Sequence, residues 1–314
     1  MRRRAGQRCL QVGFVSNALL VAVKFSAGFA GNSQALIADG LNSLLDIVAG
    51  AVSLIGYRVA SRPPDRTHHY GHQNAETIAA LVVGLAILAT GGIIVRDAIV
   101  TVISGSAVVP AAWTVAVAAG VIILKLMLYF YTRHVARRTR SPAVNATAAD
   151  HLADVIATGG ALIGVAGAQM GWPWLDPLAA FWVAAVILYN ALRIIRENTS
   201  VLLGGAPPEK TMRAIVRTLQ NVPGVRGLHH VKARTAGAQL LVDTEVLVDG
   251  ELTVEEAHAI ATAAGDRVLA EHASVVDVMV HVEPHTAERA AEGADPLTPR
   301  RRKRGTRHEE EEDA

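Results

Sequence analysis

The sequence predicts an α-helical membrane protein: six transmembrane helices followed by a small cytoplasmic α+β domain. Two observations carry that prediction. The first is a division in hydropathy: residues up to about 203 are strongly apolar, and the remainder is polar with soluble alternation. The second is the placement of basic residues among the connectors of the apolar half, where alternate connectors carry them and the others carry none. The whole-chain averages of 314 residues, 51% hydrophobic and 18% charged conceal this division, as does a mean hydropathy of +0.30. The net charge of +2 decides nothing, because its distribution matters more.

A span needs about 20 mostly apolar residues. Six stretches meet that requirement: 10–30, 35–58, 76–102, 110–132, 143–169 and 175–196. The basic start MRRRAGQRCL leads into the first run, which is long for a cleaved signal and shows no A-x-A site. GNSQ, SGSAVVP and GWPWLDP form the connectors without Lys or Arg. Arg2, Arg3, Arg4 and Arg8 precede the first span, and Arg58, Arg62 and Arg66 follow the second. Arg133, Arg137, Arg138 and Arg140 follow the fourth, and Arg193 and Arg196 close the sixth. Both termini are therefore expected in the cytoplasm, with a bacterial inner (cell) membrane, or an invagination of it, as the simplest location.

The polar half reads as a domain over 206–285. PPEKTMRAIVRTLQNV is a helix with Pro207 and Pro208 at its start. HHVKAR and QLLVDTEVLV are strands by β-branching and alternation. Thr253 to about Glu271 is a second helix, with Thr253 and Glu256 at capping-box spacing. SVVDVMVHVEP is a third strand. The order α-β-β-α-β suggests a ferredoxin-like fold. From 286 to 314 the hydrophobic pattern fades into a basic block, Arg300–Arg304, and an acidic one, Glu309–Asp313, which predicts a disordered charged tail. The transmembrane domain is thus assigned to 1–205.

Two pairs of polar residues sit four apart within apolar stretches: Asn42 with Asp46, and Asp150 with Asp154. Residues at i and i+4 share a helix face. A carboxylate at the bilayer centre costs roughly 2.5–3.5 kcal/mol on insertion scales, so each needs a reason to be there. Three carboxylates and an amide facing one another would make an all-oxygen site for a divalent cation. Packing alone would make them interhelical hydrogen-bonding groups instead. Asp39 lies two turns before Asp46 and reads as a supporting or entrance residue; Lys24 in the first span reads as a balance for these intramembrane charges as a group. His151 points about 100° from Asp150 and reads as a packing or solvated histidine. Arg96 and Asp97 read as a pair near the outer interface.

The pieces GNSQALIADGLNSLLD, PPDRTHHYGHQNAET and ADHLAD, then VPGVRGLHHVKAR, VDTEV, EEAH and VHVEP in order, resemble the cation diffusion facilitator family of divalent-metal transporters. The terminal domain and WPWLDP resemble the magnetosome members. The resemblance makes Asn42, Asp46, Asp150 and Asp154 the transport site. Many zinc members carry His at the first or third of these positions. Here they are Asn42 and Asp150, which resembles the manganese branch and favours harder cations, Mn²⁺ first, then Fe²⁺ or Zn²⁺. The resemblance also implies metal/proton antiport, in which protons and metal compete for the same carboxylates. It matches Asp65, His68 and His72 to a loop metal site, which a short helix would align. It matches His229, Asp243, Glu245, His258, His281 and Glu283 to regulatory metal positions in the terminal domain. His281 with Glu283, and Asp243 with Glu245, share strand faces. The implied partners are the metal, protons, the lipid bilayer and a second copy, or a related member in a heterodimer. No prosthetic group is implied. One departure is that Asn74 and Gly204 stand where some members have a Lys–Asp interlock.

Other classes fit less well. HExxH, a Walker P-loop and GxSxG are all absent, so an enzyme is not expected. Cys9 is the only cysteine, which excludes an intramolecular disulfide. The basic tail block sits beside an acidic run, so no nucleic-acid partner is expected. The remaining alternative is a non-transporting scaffold or heterodimer subunit of the same family.

Overall fold

The structure, a computed structural model, describes residues 2–139, 142–292 and 295–297. The chain divides into two compact units, Met1–Thr199 and Ser200–Ala314. In the first, six helices are long and apolar enough to cross a membrane. They are α1 (Arg2–Ala30), α2 (Gln34–Ala60), α3 (Asn74–Ile103), α4 (Trp113–Thr139), α5 (Pro142–Gln169) and α6 (Leu175–Leu202). Large apolar side chains such as Phe14, Leu19, Ile55, Val82 and Ile163 are exposed, as suits a surface bathed in lipid tails.

Small residues let these helices approach closely, which is how helices associate where no water drives them together. Gly28 of α1 lies so near α2 that a Cβ there would stand 2.9 Å from the Ile37 amide nitrogen. A Cβ on Gly164 of α5 would stand 2.3 Å from Ala179 Cβ of α6. Two apolar clusters follow. One joins Ala38 to Val83, Ile87 and Ile94 of α3 and to Val183 and Ile187 of α6. The other joins Ala27, Leu36, Ala118 and Val165, from α1, α2, α4 and α5. The N-terminus of α2 is capped twice. Ser33 accepts from the Leu36 amide. The Asp176 carboxylate, from α6, accepts from Ser33 Oγ at 2.7 Å and from the Gln34 amide at 2.6 Å. A negative group here faces the positive end of the α2 dipole.

The second unit contains α7 (Glu209–Gln220), β1 (Gly227–Ala236), β2 (Gln239–Val248), α8 (Val254–Glu271) and β3 (Val275–Pro284). The sheet order is β1-β2-β3, with β1 antiparallel and β3 parallel to β2. Alternation along the strands sends Val231, Val242, Val246 and Val275 to one face. Ile215 and Leu219 of α7 and Ala264 and Val268 of α8 close over that face. The α8 cap is a full capping box between Thr253 and Glu256.

The expected break into disorder at residue 286 is corrected. A short helix, α9 (Ala287–Glu292), follows β3. Beyond it, the Pro296 carbonyl accepts from the Val231 amide and Leu297 packs against the domain core. The apolar Leu297 and the unpaired edge of β1 supply what polarity alone did not reveal. Both charge blocks of the tail, Arg300–Arg304 and Glu309–Asp313, lie outside the described residues.

Candidate metal centres

Helices α2 and α5, which carry the paired polar residues, pack against each other. Asp46, Asp150 and Asp154 lie close enough to act on one another's charge. They are not drawn into one coordination sphere, because no three of them offer oxygens within 4.8 Å of one another. Asn42 is half-buried, and Asp46 and Asp150 are exposed. Asp154 is buried at 5% exposure, and its carboxylate is already engaged: Lys125 of α4 donates to it. The Lys125 ammonium also donates to Asn17 Oδ1 of α1, 2.8 Å away. The three carboxylates repel one another, and the buried ammonium neutralises one of them.

Lys125 and Asn17 did not figure among the expected site residues. The signal was present: Lys125 stands in VIILKLMLYF, and an ionisable residue inside a span is a functional candidate by default. A second buried pair lies nearby. Lys24 Nζ sits 2.8 Å from Asp39 Oδ2 and donates to Ser43 Oγ, and Thr158 of α5 donates to the same Asp39 oxygen. Lys24 therefore balances Asp39 rather than the paired carboxylates, and Asp39 ties α1, α2 and α5 together. His151 is fully buried against α1 near Gly13, so of its two expected environments it is packed, not solvated. Arg96 and Asp97 pair at 2.8 Å.

The structure brings Asp65, His68 and His72 together, each offering a ligand atom within 4.8 Å of the others. His68 Nδ1 and His72 Nε2 each lie 3.4 Å from an Asp65 oxygen. The expected short helix is replaced by a turn. Asp65 Oδ1 accepts from the Thr67 hydroxyl and amide and from the His68 amide, so the side chain organises the loop as an Asx turn does. Those bonds, Thr67's first, hold the Asp65 carboxyl below the usual carboxylate range.

In the terminal domain, His229, Glu245 and Glu283 form a third group within the same limit. His229 Nδ1 is 2.7 Å from Glu283 Oε2 and 3.2 Å from Glu245 Oε2. A β-bulge between Leu228 and His230 leaves His229 as the extra residue and aims its ring at the two carboxylates. His281 Nε2 lies 3.6 Å from Glu283 Oε1, and Arg289 Nε of α9 lies 3.6 Å from Glu283 Oε2. Asp243 joins Glu245 and His281 around a hollow of ≈ 100 Å³. His258 is not brought to this face. It is exposed on α8, the helix that covers the opposite face of the sheet.

A sequence profile of the cation efflux transmembrane domain matches residues 10–203, and one of the cation efflux protein cytoplasmic domain matches residues 207–285. The chain belongs to the cation diffusion facilitator family. The manganese efflux system protein MneS of Bacillus subtilis is 35% identical to it over 285 residues, 90% of this chain and 96% of MneS. The magnetosome protein MamM of Paramagnetospirillum magneticum is 32% identical over 294 residues, 92% of this chain and 89% of MamM. A solved nickel form of a MamM C-terminal domain variant is 33% identical, covers 25% of this chain and 100% of that one, and has a TM-score of 0.25. This facilitator is an integral membrane protein of a divalent-cation transporter family, and its terminal domain is of a dimerising type.

Proposed function

We propose that this facilitator exports Mn²⁺ from the cytoplasm in exchange for protons, by alternating access, through Asn42, Asp46, Asp150 and Asp154. The donor set carries this reading: an amide and three carboxylates, with no imidazole among them. Oxygen donors suit hard cations such as Mn²⁺, with Fe²⁺ next, whereas Zn²⁺ gains most from nitrogen and sulfur. The similarity to a protein named for manganese efflux supports the same choice. A carboxylate must be ionised to bind, so a proton arriving from the far side displaces the metal and a metal arriving from the near side displaces protons. Cytoplasmic termini in a bacterial inner membrane give the outward direction. The domain carboxylates and His229, with His281, bind cytoplasmic metal and tighten a homodimer, while Asp65, His68 and His72 form a loop site on the same side.

The test is proton flux in proteoliposomes of the purified protein with Mn²⁺, Fe²⁺, Zn²⁺ and Co²⁺ in turn. Flux that is largest with Mn²⁺ is the expected result. A Zn²⁺ preference sinks the choice of ion, and no flux with any ion points to a scaffold or to one half of a heterodimer.

A further inference from the structure

Lys125 is the group that the transport reading leaves unexplained. Its ammonium is 1% exposed in the interior of the membrane unit and grips Asp154. A charge costs several kilocalories to bring into such a place, and a well-packed apolar pair serves stability at least as well as a buried ion pair. Counting formal charges, Asp46, Asp150 and Asp154 give −3, Lys125 brings the cluster to −2, and one divalent cation brings it to zero. Asn17 Oδ1 offers the same ammonium a neutral acceptor 2.8 Å away. The Lys24–Asp39 pair is self-contained and leaves this count unchanged.

We propose that Lys125 is a tethered cation that occupies Asp154 whenever the metal is absent, yields the carboxylate to the incoming metal, and is then held by Asn17. The inference rests on the reading of Asn42, Asp46, Asp150 and Asp154 as the transport site. Two consequences follow. The metal must displace a resident cation, which weakens its binding and speeds its release. The emptied site keeps Asp154 neutralised, so the return step needs protons only on Asp46 and Asp150.

The test compares Mn²⁺ affinity, by calorimetry on the full-length protein in detergent, with Mn²⁺-driven proton flux in proteoliposomes. With its competitor gone, Lys125→Met should bind Mn²⁺ about tenfold tighter or more, since a unit charge at contact range acts with kilocalories even at high effective dielectric. It should also turn over more slowly at saturating metal. Lys125→Arg should restore most of the turnover. Asn17→Ala, which keeps the ion pair, should weaken Mn²⁺ binding. Affinity unchanged or lowered in a folded Lys125→Met protein overturns the proposal and leaves Lys125 a structural group. Asp154→Asn separates the two readings. Normal Mn²⁺ binding and flux in that variant refute the transport site, and this inference with it. Lost flux in Asp154→Asn without tightening in Lys125→Met refutes the tethered cation alone.

Discussion

In the membrane unit, the buried carboxylates Asp39 and Asp154 each face an ammonium from another helix. In the terminal domain, Glu245 and Glu283 face the His229 imidazole, with His281 and Arg289 at the rim. The contrast follows from the solvent. Lipid tails cannot stabilise a lone carboxylate, so Asp39 and Asp154 have fixed counter-cations that join α1 to α2 and α4 to α5, while Asp176 is held by the donors at the N-terminus of α2. On the domain face Glu245 and Glu283 are only half-buried, so an imidazole suffices as their partner, and a histidine ring is also a common metal ligand. One unit thus presents oxygen donors under competition from lysine, and the other presents mixed donors partly open to solution.

Breaking the buried pairs should have the largest effects. Asp154→Ala should abolish Mn²⁺ flux and, by orphaning Lys125, cost about 3–5 kcal/mol of stability, read as a lower melting point in detergent. Adding Lys125→Met should recover the melting point but not the flux. A melting point unmoved by Asp154→Ala would mean the pair is not buried in the membrane. Lys24→Ala should lose a similar ~3–5 kcal/mol by leaving Asp39 without its partner.

Gly164→Ala tests the close approach that positions α5. Its new methyl would meet Ala179 and the Leu175 carbonyl, 2.9 Å away, so overpacking of about 1–3 kcal/mol is expected. An unchanged melting point would show that α5 and α6 separate freely. In the domain, His229→Ala should leave the fold nearly as stable but remove metal-dependent compaction of the dimer, measured by small-angle scattering of the full-length protein with and without Mn²⁺. Retained compaction would assign the response to Asp243 and His281 instead.

The smallest effect concerns pH. Glu256 donates no proton to its cap. It accepts from the Thr253 amide and hydroxyl, and these bonds hold its carboxyl below the ordinary glutamate range. A folded-state value lower than the unfolded one gives stability above the unfolded value that is lost as pH falls through the folded one. Hydrogen-exchange protection at the start of α8, taken relative to the intrinsic rate at each pH, should therefore fall below about pH 4.3, the unperturbed glutamate value. Glu256→Gln should flatten that dependence, and an equally steep dependence in the variant would assign it to other acids such as Glu271, which Thr218 and Arg267 hold low.

The sequence by itself determined the six spans, the α-β-β-α-β order and the chemical character of the site residues. Those follow from hydropathy, period and cap chemistry, which are local along the chain. Asn42 with Asp46 and Asp150 with Asp154 were legible for the same reason: four residues make one helical turn. Only the tertiary structure decided which cation meets which carboxylate. Lys24 and Lys125 are both single lysines in apolar helices, and nothing near either one says that the first meets Asp39 and the second Asp154. Helix packing sets those partners, across 15 and 29 residues of chain. The bulge that swings His229 onto Glu245 and Glu283, and the return of Pro296 to the edge of β1, were hidden likewise, because strand register and edge pairing are settled between segments rather than within them.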